Sequence, residues 1–338
     1  MFRRNIFAFA IVISTTALFS AAKPKIAPPA GPAKGIKTPG IQIPFEKVKA
    51  EATIPAPSKP TWMFFATGGP GSVYFPAADK VEKVDARSNK PGDPIGSLKK
   101  PCGGMVSAFG SLWIPTCGAG ALQRLDSKTL KVTATIASGT GSEPGNIAAS
   151  ADSIWLLTDD KATLSRIDPD QNAVTGEFRL STGCRNLTFA ESALWVICPS
   201  LNKLLKINPA TNVVDKRIEV AANPIAITAG QGSIWVLGGK DGKVDRIDPK
   251  TDKVTKTIDL LAPASEGGIA FGDGNIWVTM TGFPLTRIDV TSETVAQQFW
   301  GEGGGAITAS AGALWLSNLN NGTISRIDPK LILATLAE

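Results

Sequence analysis

The chain has 338 residues, of which 43% are hydrophobic and 19% charged, with four cysteines, no histidine and a formal charge of +6. That balance excludes a chain disordered throughout, and the lack of histidine excludes His-based acid–base catalysis, His-ligated zinc and c-type haem attachment. The positive charge is confined to the first 60 residues: residues 61–338 carry 26 basic and 27 acidic side chains, so the body lacks the basic field on which nucleic-acid affinity depends.

At the start of the chain, Arg3 and Arg4 precede an apolar run from Ile6 to Phe19, and Ser20, Ala21 and Ala22 offer a small-residue cleavage site before Lys23. The run is shorter than the roughly 20 residues a spanning helix needs. Residues 1–22 are therefore read as a secretory signal, and the mature protein is expected in the periplasm or secreted, with no membrane span. Residues 23–60 open with "KPKIAPPAGPAKGIKTPG", a Pro/Lys-rich linker. Within them Ile41 to Ile54 holds strand-like pieces. These are expected to supply an edge strand that closes the structure that follows.

From Thr61 onward one phrase recurs. Tyr74, Trp113, Trp155, Trp195, Trp235, Trp277 and Trp315 stand 38 to 42 residues apart, each in a context such as "SIWVL" or "ALWVI". Each is followed by Asp85, Asp126, Asp168, Asn208, Asp248, Asp289 or Asp328, mostly within "RIDP". A fixed period near 40 marks a repeat architecture. Inside one unit, "IAITA", "SIWVL", "KVDRID" and "KVTKTIDL" are β-branched runs of strand length, separated by "GQG", "GGKDG" and "PKT". The second run is apolar at successive positions, which requires cover on both faces. Seven units of four antiparallel strands predict an all-β, seven-bladed propeller over residues 61–338.

The recurring residues have mechanical roles in that reading. The tryptophans fill blade-to-blade contacts. The aspartates accept main-chain N–H groups at a turn whose φ is set by the following Pro. Arg124, Arg166, Arg246, Arg287 and Arg326 precede the turn and are expected to pair with neighbouring blades. Asp241-Gly242 and Asn321-Gly322 fit tight hairpin turns between second and third strands. The last unit, "RIDPKLILATLAE", lacks the usual spacer before a fourth strand.

The cysteines form two copies of one arrangement. Cys102 and Cys117 flank Trp113 much as Cys184 and Cys198 flank Trp195, the first just before an innermost strand and the second just after the strand returning beside it. Antiparallel pairing predicts Cys102–Cys117 and Cys184–Cys198 disulfides, which suit an oxidising compartment. The loops entering each innermost strand depart from the repeat, and variation in aligned loops is where function is expected. They nominate Glu143, Asn146, Arg185, Asn186, Asn223, Glu266 and Glu302 as a ligand-binding ring at the channel mouth. Three carboxylates there suit Ca²⁺ or Mg²⁺ through oxygen ligands, or a cationic ligand. A solvated rim is the plainer alternative.

The repeated Ser-Ile-Trp-Val and Arg-Ile-Asp-Pro phrases make residues 61–338 resemble the virginiamycin B lyase (streptogramin lyase)-like and YVTN-repeat seven-bladed propellers. The resemblance implies a ligand site at the mouth. It also implies a lyase chemistry based on a His base and Mg²⁺ held partly by Glu, and this chain has no His to provide the base. The leading expectation is an exported monomeric module that binds or scaffolds a small molecule, a peptide or an envelope protein, with no nucleic acid. The alternatives are a metal-assisted lyase or hydrolase using carboxylates in place of histidine, and a quinone-type redox propeller.

Overall fold

Seven short inner strands stand side by side around a common axis: Phe64–Ala66, Val106–Ala108, Ile147–Ala149, Arg185–Ala190, Pro224–Gly230, Gly267–Gly272 and Ile307–Ser310. Each touches the next, and the seventh touches the first. This computed structural model describes residues 35–36, 41–66, 71–140, 145–158, 162–310 and 312–334. The described residues fall within one compact unit, Gly31–Glu338. The proposed signal at 1–22 and residues 23–34 and 37–40 of the linker lie outside them.

Each inner strand begins a sheet that runs outward, and we number the sheets as blades 1 to 7 in chain order. Blade 5 shows the pattern. Pro224–Gly230, Ser233–Gly238, Lys243–Asp248 and Lys253–Asp259 pair antiparallel in sequence order. Between third and fourth strands the register slips at one place in blades 2 to 6, at Arg124/Leu125, Arg166/Ile167, Lys206/Ile207, Arg246/Ile247 and Arg287/Ile288. The repeated phrase thus writes a β-bulge at this place in each of these five blades, and a bulge increases local twist.

The apolar second strands are buried at every position in blades 2 to 7. Seven hydrophobic clusters result, and they correspond to the seven blade-to-blade contacts. Trp195 of blade 4 packs with Ile234, Val236 and Ile247 of blade 5, and Trp235 of blade 5 with Ile276, Val278 and Ile288 of blade 6. The last contact closes the ring, because Trp315 of blade 7 packs with Val73, Phe75 and Val84 of blade 1. The six repeat tryptophans are all fully buried. At Gly230 the backbone lies against the Phe271 ring of the next blade, where a Cβ has no room.

A cation lies over each of five of those indoles. Arg124, Arg166, Lys206, Arg246 and Arg326 sit 4.8 to 5.6 Å from the ring centroids of Trp113, Trp155, Trp195, Trp235 and Trp315. Each then reaches the next blade. Arg124 donates to Pro169 O and Asn172, Arg166 to Pro209 O, Lys206 to Asp252 at 2.6 Å, Arg246 to Glu293 at 2.6 Å, and Arg326 to Asn89. Arg287 departs from this: it is buried and donates within its own blade to Asn275 Oδ1 and Gln297 Oε1. Blade 7 has no third-to-fourth hairpin for it to reach, since helix Pro329–Ala334 follows Ile327, and Gln297 Nε2 donates to Ile332 O instead.

Two blades differ from the repeat. In blade 1 three strands pair regularly, and residues 91–95 meet the third only through isolated bridges, Val84 with Pro91 and Val81 with Ile95. Pro91 and Pro94 withhold the N–H groups a regular ladder uses. In blade 7 the fourth strand is Ala52–Pro55, antiparallel to Thr323–Ile327. Gln42–Pro44 adds a fifth, parallel strand to the outer edge of blade 6. Both disulfides are present, Cys102–Cys117 and Cys184–Cys198, with no free cysteine among the described residues. Rings of this size stabilise a fold by about 3 kcal/mol each in the chain-entropy picture.

At the outer turns Asp85, Asp126, Asp168 and Asp289 each accept two main-chain N–H groups, as Asn208 does in blade 4. Asp248 accepts from Lys250 N and Thr251 Oγ1. Those main-chain donors are the largest cause holding all five carboxyls below the usual carboxylate range. A carboxyl whose pKa is depressed by folding adds stability that is present above its unfolded value and lost as pH falls through the folded one. The melting temperature is therefore expected to fall as pH drops below about 4, the unfolded Asp range. Asp248→Asn, which copies Asn208, should shallow that fall; thermal melts between neutral and strongly acidic pH read both.

Candidate functional site

One end of the channel opens into a cavity of about 590 Å³. Residues from five blades wall it, because the loops entering the inner strands and the second-to-third-strand loops emerge on the same face. Blade 1 contributes Thr61, Trp62 and Met63. Blade 5 contributes Ile225 to Ile227, blade 6 Ser265 to Ile269, and blade 7 Gly305 to Ile307 with Leu319. Blade 4 contributes Arg185 and Asn186. Its wall is polar and apolar in about equal measure, with the cation Arg185 and the carboxylate Glu266 as its charged side chains.

Of the seven residues nominated from sequence, Arg185, Asn186 and Glu266 line this cavity. Asn146 does not: it is buried one step behind, and its Oδ1 accepts Asn186 N at 3.1 Å. Asn223 stands at φ 53°, donates its N–H to Asn202 Oδ1 at 2.8 Å and accepts Gly239 N on its own carbonyl. It shapes a turn and does not face the cavity. Glu302 lines a different cavity, on the outer side of blades 6 and 7. The blade 7 loop reaches the channel only at Gly305, three residues later. Glu143 lies outside the described residues. Among the described residues no three His, Cys, Asp or Glu side chains converge as a metal site.

Hydrogen bonds across blades hold the rim. Asn146 N donates to Gly103 O of blade 2, Asn186 N to Asn146 Oδ1 of blade 3, and Asn186 Nδ2 to Ile225 O of blade 5. Asn186 can do this because it sits at φ 57° where the inner strand of blade 4 slips register between Arg185 and Leu187. Gly145 leaves the room that Asn186 Oδ1 occupies. On the far side Thr279 Oγ1 accepts Gly268 N and donates to Gly305 O at 2.7 Å. The Cys184–Cys198 bond ties the residue before Arg185 to the end of the neighbouring strand. The charged groups of the mouth are thus carried on a rigid frame, as a preorganised site needs.

No family model matches the chain, and no curated protein matches it by sequence. Solved structures do. A streptogramin B lyase aligns with a TM-score of 0.68 at 22% identity, covering 81% of this chain and 94% of that one. Virginiamycin B lyase from Staphylococcus aureus aligns with a TM-score of 0.68 at 15% identity, covering 82% and 98%. The fold is that of the virginiamycin B lyase propellers. A chain of a mitotic checkpoint complex aligns with a TM-score of 0.71 at 11% identity, covering 94% and 99%. At these identities the likeness concerns architecture, and function has to be argued from the site.

Sequence reasoning nominated polar loop residues and passed over the apolar part of the wall. A signal for it existed. The chain has eight tryptophans, six of them in the repeat register. The two outside it, Trp62 and Trp300, each line a cavity. Leu319 likewise interrupts an otherwise polar turn, "SNLNNGT".

Proposed function

We propose that this chain is an exported binding module whose channel mouth takes a small molecule or short peptide with an apolar body and opposite charges at its ends. The observation that carries the reading is the mouth cavity itself. A concave site that combines apolar side chains with placed polar groups is the usual form of a ligand site, and here Trp62, Ile225, Ile269 and Leu319 supply apolar surface while Arg185 and Glu266 supply the two charges. Export is supported by the apolar leader at 1–22 and by the two disulfides. A structural neighbour, a catalytically inactive virginiamycin B lyase variant, was crystallised with quinupristin, which makes that compound a natural probe.

The chemical alternative, a metal-assisted lyase or hydrolase, would start from Glu266 as the mouth carboxylate. Calorimetric titration of the mature protein with quinupristin and with a panel of leucine-rich tripeptides tests the binding reading. At least one probe should bind, with affinity reduced about tenfold by Arg185→Ala or Glu266→Gln, the loss typical of a polar contact to a charged group. Failure of every probe at millimolar concentration, or binding indifferent to both substitutions, overturns it. Probe consumption dependent on added Mg²⁺ and abolished by Glu266→Gln would favour the lyase.

A further inference from the structure

Blades 2 to 6 each end in a fourth strand that follows the third in sequence, and the residues of that strand decide whether another can join it. In blades 3, 4 and 5 the outer edges hold charges: Glu177 and Arg179, then Asp215, Lys216, Arg217 and Glu219, then Lys253, Lys256 and Asp259. Charged side chains blunt an edge against further pairing. The fourth strand of blade 6, Thr294–Trp300, has none, and it is the edge on which Gln42–Pro44 lies. Blade 2 supplies the other uncharged edge. Its strand Val132–Ala137 contains no charge, Pro or Gly and is the last strand of its sheet.

The two uncharged edges share one construction. Each follows a register slip just after the third-strand arginine, so Thr135, opposite Gln123, stands where Gln298 stands opposite Thr286. Gln298 N donates outward to Ile41 O at 2.8 Å. Thr135 N therefore faces outward too, and among the described residues no strand pairs with that side of Val132–Ala137. Blade 5 carries Lys256 and Asp259 where blade 2 has Ala134 and Ala137. A cavity of about 450 Å³ opens beside the start of this edge, where blade 1 has isolated bridges in place of a regular fourth strand. Ile95, Leu130 and Val132 give it apolar surface, Val132 being 47% exposed. Lys83, Lys131 and Asp93 leave it an excess of positive charge.

From these observations we propose that the outer edge of blade 2 is a docking surface for an extended segment of a partner protein, which adds to it as a fifth strand. The segment is an uncharged, β-branched stretch with an acidic residue at the end that lies beside Lys83 and Lys131. In such strand addition main-chain hydrogen bonds supply affinity and side-chain pockets supply selectivity. The ring already binds its own residues 42–44 in this way on blade 6. A second copy of this chain fits the edge less well, because residues 131–140, which would face their own counterparts, hold no acid for the two lysines.

The probe is the fluorescently labelled peptide Glu-Thr-Val-Thr-Val-Thr, with Gln-Thr-Val-Thr-Val-Thr and Glu-Thr-Val-Pro-Val-Thr as controls, followed by anisotropy. The first should bind, the Gln form should bind several-fold more weakly, and the Pro form, which lacks a main-chain donor, about tenfold more weakly. Bound peptide should also slow amide exchange at Thr135. Ala134→Lys/Ala137→Asp writes the blade 5 charges onto blade 2 and should weaken the peptide about tenfold with the melting temperature unchanged, since blade 5 folds with both. Lys83→Gln/Lys131→Gln should erase the preference for Glu over Gln. Arg185→Ala should have no effect, which separates this surface from the channel mouth. No binding at about 1 mM, equal binding of the Pro form, or indifference to the Ala134→Lys/Ala137→Asp variant would each overturn the assignment. So would self-association in sedimentation that this variant abolishes, with no peptide bound, since the edge would then belong to a second copy.

Discussion

Removing residues 41–55 should lower the melting temperature by more than about 7 °C. The closing strand, Ala52–Pro55, pairs along Thr323–Arg326, and Glu51 N and Ala56 N extend the ladder to Arg326 O and Gly322 O. Ile54 is buried against Val73, Phe75, Trp315 and Ile324, in the cluster that joins blade 7 to blade 1. Burial of such a side chain is worth about 2–5 kcal/mol by truncation, and the lost ladder leaves the outer edge of the last blade open. A sum of roughly 5 kcal/mol or more corresponds to at least about 7 °C in a chain of this length. Ile54→Asp should reproduce most of the loss without shortening the chain. A melting temperature unchanged in both variants would show that the ring closes without its N-terminal strand.

The second large effect is expected at Trp235. Trp235→Ala opens the contact between blades 5 and 6 and should cost about 3–5 kcal/mol, the range for large aromatic truncations, whereas Trp235→Phe should cost less. Arg246 stacks over the same indole at 5.2 Å and reaches Glu293 of blade 6. A double-mutant cycle between Trp235→Phe and Arg246→Ala is therefore expected to show coupling of about 0.5–2 kcal/mol, read from urea unfolding. Zero coupling would mean that the cation and the ring stabilise the seam independently.

The periodic residues show why the blades could be anticipated. Each Trp, bulge and aspartate turn acts through neighbours within its own unit or the next, so one period of 38 to 42 residues contains nearly all the information needed to place it. The cysteine pairs obey the same locality, since each bond spans 14 or 15 residues. Arg287 looked like its equivalents and behaves otherwise because its neighbour, blade 7, ends in a helix and borrows its fourth strand from the N-terminus. Its surroundings are not written in its own repeat.

The rim shows the limit more sharply. Aligned loops placed Glu266 and Glu302 in one ring, yet one lines the channel mouth and the other lines an outer cavity together with Phe45, 257 residues earlier. Asn146 and Asn223 were legible as irregular loop residues, but whether such a residue meets ligand or locks a turn depends on φ and on hydrogen bonds to other blades. By itself the sequence determined the blade, its repetition and its disulfides, because short-range pairing and alternating burial are set by residues a few positions apart. Tertiary structure alone decided which loop atoms share a cavity, because ring closure brings together segments from opposite ends of the chain and glycine-rich loops take their direction from what they pack against.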